Sequence, residues 1–142
     1  MLVFQGAETY ITPSWYPSKH AHGKAVPTWN YAVVHAHGIP RIIEDRERTL
    51  QILNQLTDVH EAEQVHPWKV SDAPQEFTDQ LLQSIVGIEI PITKLMGKWK
   101  VSQNRPDSDK LGVVAGLLER NEQQSKDMAS LVSQHVSLTT RN

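Results

Sequence analysis

Four cations crowd the stretch from Lys94 to Arg105: Lys94, Lys98, Lys100 and Arg105, interleaved with Trp99, Ser102, Gln103 and Asn104. If 94–100 is extended, alternate side chains point the same way, and Lys94, Lys98 and Lys100 share one face. Point charges backed by hydroxyl and amide donors are what a bound phosphate requires. Trp99, on the other face, suits either a core or the face of a flat ring. A solvated basic strand end is the competing reading of the same residues.

A second kind of chemistry lies upstream. The stretches Trp15-Tyr16-Pro17-Ser18-Lys19 and Pro27-Thr28-Trp29-Asn30-Tyr31 hold two of the four tryptophans and two of the three tyrosines. Aromatic rings beside Asn, Thr, Ser and Lys can grip a planar heterocycle with a polar rim. They equally suit a packed core or a Trp-rich interface. His20-Ala21-His22 and His35-Ala36-His37 are both His-x-His pairs. On a strand such a pair shares a face and could hold zinc, with His60, Glu61 or His66 as a third ligand. No spacing here matches a zinc signature, so no metal is expected.

Other chemistries are excluded or unsupported. The chain has no cysteine, which removes disulfides, thiolate metal sites and cysteine nucleophiles. A reducing, cytoplasmic setting fits. There is no Gly-x-Ser-x-Gly elbow, no Gly-x-Gly-x-x-Gly and no P-loop. The net charge of −2 rules out a broadly basic nucleic-acid coat. No apolar run reaches the length of a membrane span.

These groups need a scaffold. With 142 residues, of which 39% are hydrophobic, one core is attainable. The early chain reads as β: Leu2–Phe4, Glu8–Thr12, then a loop over Ser14–Lys24. Val26–His37 alternates, with Trp29, Tyr31, Val33, His35 and His37 on one face and Val26, Thr28, Asn30, Ala32, Val34 and Ala36 on the other. Two apolar-leaning faces suggest a barrel wall. After Gly38, Ile39–Glu44 reads as its hairpin partner. Asp45 can cap a helix to about His60, and Asp72 with Pro74 and Gln75 reads as the start of another. Phe77, Leu81, Leu82 and Ile85 would be its core face, and Gly87 its end. Pro91 places the following isoleucine-rich strand at an edge or a bulge. Pro106-Asp107-Ser108 opens a further helix, and 122–142 is a C-terminal helix or tail. The fold class is α+β, in a single domain spanning 1–142.

The same residues carry a resemblance. Tyr10 to Lys19 (YITPSWYPSK), His22-Gly23-Lys24, Val26 to Tyr31 (VPTWNY) and Val34-His35-Ala36 resemble the PaiB-type FMN-binding transcriptional regulators. So do Asp58-x-His60-Glu61, Pro67 to Pro74, Val86 to Ile90 and Gly97 to Arg105 (GKWKVSQNR). The likeness runs to about Glu119. It implies a split β-barrel of the pyridoxamine-phosphate-oxidase-like type, a homodimer with FMN held between subunits, and a role as a negative regulator. Family members also carry an upstream section with the first barrel strands and a His-Leu-Pro stretch. It has no counterpart here, so a chain lacking the N-terminal part of the barrel is expected.

The expected cofactor contacts are Ser14, Trp15, Lys19, Thr28, Trp29, Asn30, Lys98, Lys100, Ser102, Gln103, Asn104 and Arg105. The Lys98–Arg105 segment would face the phosphate, and the two aromatic segments the ring and ribityl chain. The protein is expected to act by binding rather than turnover, with no catalytic residues. A flavin reductase or oxidase on the same fold is the alternative, and a haem role through His35 or His37 a weaker one. DNA would be contacted only indirectly or weakly, because the 107–120 helix carries only Lys110 and Arg120 as cations.

Overall fold

In the computed structural model, which describes residues 1–137, the two-faced alternation of 26–37 becomes the central strand of a sheet. The elements run β1 (Leu2–Ile11), α1 (Pro17–His22), β2 (Thr28–Gly38), β3 (Arg41–Ile43), α2 (Arg46–Glu61), α3 (Gln75–Leu82), β4 (Gly87–Glu89), β5 (Ile92–Lys100), α4 (Asp107–Glu119) and α5 (Gln123–Ser133). Short 3-10 turns lie at Pro13–Trp15 and Val70–Asp72. This is the expected α+β class. The chain divides into two compact units, one made of 1–37 with 93–142 and the other of 38–92.

The first unit holds the sheet β1-β2-β5. β1 runs antiparallel to β2, from Leu2 opposite Ala36 to Ile11 opposite Thr28, with a register shift between Gln5 and Glu8. β5 runs antiparallel on the other side: Thr93 Oγ1 donates to the His37 carbonyl at one end, and Lys100 Nζ to Thr28 Oγ1 at the other. On β2 the buried residues are Asn30, Ala32 and Ala36, all on the even-numbered face. The core joins Ile11, Tyr16 and Val101 to Val113 and Leu117 of α4 and to Met128, Ala129 and Val132 of α5. The weakly apolar C-terminal segment is therefore a docked helix over Gln123–Ser133, while residues 138–142 lie outside the described part.

Two small residues let α4 approach the first aromatic segment. A Cβ at Gly112 would collide with the Trp15 carbonyl, and one at Gly116 with the Trp15 indole. Helical glycine costs about 1 kcal/mol against alanine, and here it opens the slot that the indole fills. Arg120 closes that slot: its guanidinium lies 4.6 Å from the Trp15 ring centroid and donates to Thr9 Oγ1 and the Tyr10 carbonyl.

The second unit departs from the expected hairpin. β3 pairs with β4, Ile42 opposite Ile88, and not with β2. Pro40 has no N–H to extend the β2 ladder, so the chain leaves the sheet and finds its partner nearly fifty residues on. Asp45 does cap α2, accepting from the N–H of Glu47 and Arg48. Asp72 does not cap α3. Its carboxylate accepts the Lys69 N–H at 3.0 Å and closes a 3-10 turn, and α3 starts at Gln75 without a side-chain cap. α3 ends at Leu82, and Gly87 opens β4 instead of terminating the helix. Of its expected core face only Leu82 is buried. Phe77, Leu81 and Ile85 stay about half exposed along an apolar groove of about 240 Å³ between α2 and α3.

Candidate functional site

The turn after β5 is built by its own side chains. Gln103 donates through Nε2 to the Trp99 carbonyl and accepts the Val101 N–H, both at 2.7 Å. Ser102 takes a left-handed φ of 61°, and its carbonyl accepts the Arg105 N–H at 2.9 Å. A non-glycine residue in that region costs about 1–3 kcal/mol and persists only where neighbours hold it. Here the neighbours are the Gln103 tether and the buried Asn30, whose Nδ2 donates to Ser102 Oγ at 2.9 Å. The turn is thereby fixed to the start of β2.

Between them lies a cavity of about 190 Å³ lined by Tyr16, Val26, Thr28, Asn30, Lys100, Ser102, Gln103, Asn104 and Arg105. The two segments that meet there are some seventy residues apart in sequence. Two cations and six neutral hydrogen-bonding side chains converge on it, and no carboxylate among the described residues lines it. Several of the polar groups are held in place by one another. Lys100 Nζ donates to Thr28 Oγ1 at 2.5 Å, which leaves the Thr28 proton free to point elsewhere. Arg105 sits over the Tyr16 ring, 4.5 Å from its centroid, and no carboxylate among the described residues pairs with it.

Tyr16 is the floor of this site. It is fully buried, and among the described residues its O–H has no hydrogen-bond acceptor. Burial pushes its pKa above the ordinary 10.0; the Arg105 guanidinium opposes that rise through its charge and as a donor to the phenol oxygen, and the Asp109 charge reinforces it. The phenol therefore remains a proton donor at neutral pH. Its position is set from behind. Asp109, fully buried in the first turn of α4, accepts both the Ser18 N–H at 3.0 Å and the Ser18 hydroxyl at 2.6 Å. That pair of hydrogen bonds pins the start of α1 to α4.

Seven of the twelve expected contacts line the cavity: Thr28, Asn30, Lys100, Ser102, Gln103, Asn104 and Arg105. Five stand elsewhere. Ser14 is exposed in its 3-10 turn, with its N–H on Thr12 Oγ1. Trp15 fills the slot against α4. Lys19 is exposed on α1. Trp29 is half exposed, and its Nε1 donates to Glu8. Lys98 stands over the Tyr31 ring, 5.9 Å from its centroid, beside an open cleft of about 590 Å³ that also contains Val33, His35 and Met96. Tyr16 was not expected at the site. Its sequence signal was only its place inside an aromatic-polar cluster, next to the more conspicuous Trp15.

The histidines are scattered. His20 and His22 lie on a helix, where i and i+2 diverge, and His22 Nδ1 accepts the Lys24 N–H. Among the described residues no group of three His, Asp or Glu is placed to hold a metal ion. No helix among them is long and apolar enough to cross a membrane.

The donor set and the orphaned phenol suit the phosphate-bearing end of a nucleotide. The cavity is smaller than the roughly 300–1,000 Å³ of complete small-molecule sites, so a flavin seated there would leave its ring system outside.

Comparison with known proteins points the same way. Residues 1–94 match the family described as "Putative FMN-binding domain". An uncharacterised protein of Emericella nidulans is 38% identical over 143 aligned positions, covering 93% of this chain and 57% of that protein. An uncharacterised protein of Aspergillus fumigatus is 35% identical, covering 82% of this chain and 51% of its own length. The Bacillus subtilis protein named "Protease synthase and sporulation protein PAI 2" is 29% identical, over 93% of this chain and 61% of its own length. The chain thus spans a little over half the length of these relatives.

Proposed function

The chain belongs to the FMN-binding domain family, an α+β fold of the split-barrel type with FMN as cofactor, and from that premise we propose that it is a negative transcriptional regulator of the PaiB type. In this reading it works by binding, in the cytoplasm, and not by turnover. The carrying observation is the cavity in which Lys100 and Arg105 meet six neutral donors and acceptors, with no opposing carboxylate among the described residues. Lys100, Arg105 and Ser102 would hold the phosphate, and Thr28, Asn30, Gln103 and Asn104 the ribityl side. FMN supplies a redox-active ring when bound. The residues of this cavity orient its phosphate end and contribute no proton-transfer group to the ring.

Dimerisation completes the reading. β5 is a sheet edge exposed along its whole length, with Ile92, Leu95, Met96 and Trp99 open to solvent. Apolar edges of this kind are normally covered, and a second copy would cover this one and wall in the protruding ring. Regulation through DNA would be indirect: Lys110 is buried, and Arg120 is engaged by Trp15, Thr9 and Tyr10. The likeness to the sporulation protein of Bacillus subtilis supports the regulatory part.

Titration of the purified protein with FMN tests the cofactor assignment. Saturable quenching of flavin fluorescence, at one FMN per chain in a species of dimer mass, is the expected result. No quenching would overturn it. Anaerobic NADPH that rapidly bleaches the bound flavin would replace the regulator with an oxidoreductase.

A further inference from the structure

The Tyr16 hydroxyl is the one feature of the cavity that the folded chain leaves unexplained. A buried hydroxyl without a partner is destabilising, and native proteins keep few of them. Phenylalanine would fill the same space without that cost. The neighbouring contacts do not relieve it. Arg105 lies over the ring and can only donate, so it leaves the O–H proton without an acceptor. Asp109 is close enough to act on the phenol through its charge, but its oxygens are directed at Ser18 and neither accepts from the phenol. The chain has thus fixed a phenol, through the Ser18–Asp109 clamp, in a wall of a cavity that also presents Lys100 and Arg105.

We propose that the Tyr16 hydroxyl is a phosphate-selecting donor: it gives its hydrogen bond to a phosphate oxygen of the bound flavin mononucleotide and makes the cavity prefer FMN to riboflavin. The inference rests on the FMN reading of this cavity and adds to it a residue and a specificity. The chemistry follows from the surroundings. The phenol stays protonated, so it can only lose by facing a void and gains by facing an anion. A guanidinium carries five N–H donors, more than its contact with the phenol can use, so Arg105 and Tyr16 can address the same phosphate from different directions. Riboflavin ends in a hydroxyl, which cannot repay the desolvation of the cations and the phenol together.

The test is Tyr16→Phe, measured with FMN and riboflavin in parallel by fluorescence quenching, together with thermal unfolding of the flavin-free protein. FMN affinity is expected to fall about tenfold, in line with loss of a hydrogen bond to a charged acceptor. Riboflavin affinity is expected to stay within about twofold. The midpoint of the flavin-free variant should match or exceed that of the unsubstituted chain, because an unsatisfied group has been removed; this also shows that the variant folds. Unchanged FMN affinity overturns the proposal, and so does an equal loss for both flavins, which would make Tyr16 a packing residue. If the unsubstituted chain itself binds no FMN, the FMN reading of the cavity fails, and this inference fails with it.

Discussion

Two segments of this protein have nearly the same chemical vocabulary and are used in opposite ways. Residues 14–19 and 98–105 each mix tryptophan, serine and lysine. In the second, Lys100 to Arg105 form a self-braced turn whose side chains face a cavity. In the first, two side chains are consumed by α4, Trp15 filling the glycine slot and Ser18 held by Asp109, and only Tyr16 reaches the cavity. The lesson is that an aromatic-polar cluster becomes a site only where its polar groups are left with capacity to spare. Asp109 uses up Ser18, whereas Ser102 and Thr28 each accept one hydrogen bond and keep a proton to donate.

The largest effect should come from the packed segment. Trp15→Ala removes an indole wedged against two helical glycines and is expected to cost about 3 kcal/mol, read by urea unfolding. FMN affinity of the remaining folded protein should stay within about twofold. A tenfold loss at unchanged stability would place Trp15 at the ligand and erase the contrast.

A smaller effect is expected from the braced segment. Arg105→Ala should weaken FMN binding by about 2 kcal/mol, roughly thirtyfold, with riboflavin little affected. Stability should change by less than about 1 kcal/mol, because no carboxylate among the described residues pairs with its guanidinium. A large loss of stability with no change in binding would reverse the assignment.

The smallest effect tests what fastens α4 from behind. Asp107 accepts from the nearly buried Lys110 at 2.8 Å and from the Ser137 N–H, and Lys110 also donates to the His135 carbonyl after α5. The Lys110 hydrogen bond, helped by Ser137, holds the Asp107 carboxyl below its ordinary value of 3.8. A lowered carboxylate stabilises the fold above its unfolded pKa, and that contribution fades as pH drops through the folded value. Asp107→Asn should therefore be less stable than the unsubstituted chain at neutral pH, and the two should converge as pH falls through the folded value, below 3.8. A gap that persists in acid would show that geometry, not charge, fastens the helix.

Local signals in the sequence were accurate where one element decides. The alternation of 26–37, the Asp45 cap and the proline-led start of α4 depend on near neighbours, and all three appear close to where the pattern puts them. The cationic cluster at 94–105 was visible, and so was the polar character of 28–30. Misreadings came where a partner outside the expected element competed. Asp72 looked like a helix cap but found a closer backbone donor in Lys69. The strand after Gly38 looked like a hairpin arm but is completed by Gly87–Glu89. Lys98 and Lys100 looked suited to one phosphate, and in the structure one lies over Tyr31 and the other bonds Thr28.

By itself the sequence determined the α+β class, the absence of thiol chemistry, the family likeness and the set of groups able to meet a phosphate. Those are properties of residue types and short-range periodicity. Only the tertiary structure decided which of those groups keep an unused hydrogen bond. That depends on partners some seventy to ninety residues away: Asn30 with Ser102, Lys100 with Thr28, and Ser18 with Asp109. It is also why Tyr16, inconspicuous beside Trp15, ends as a buried donor without a partner.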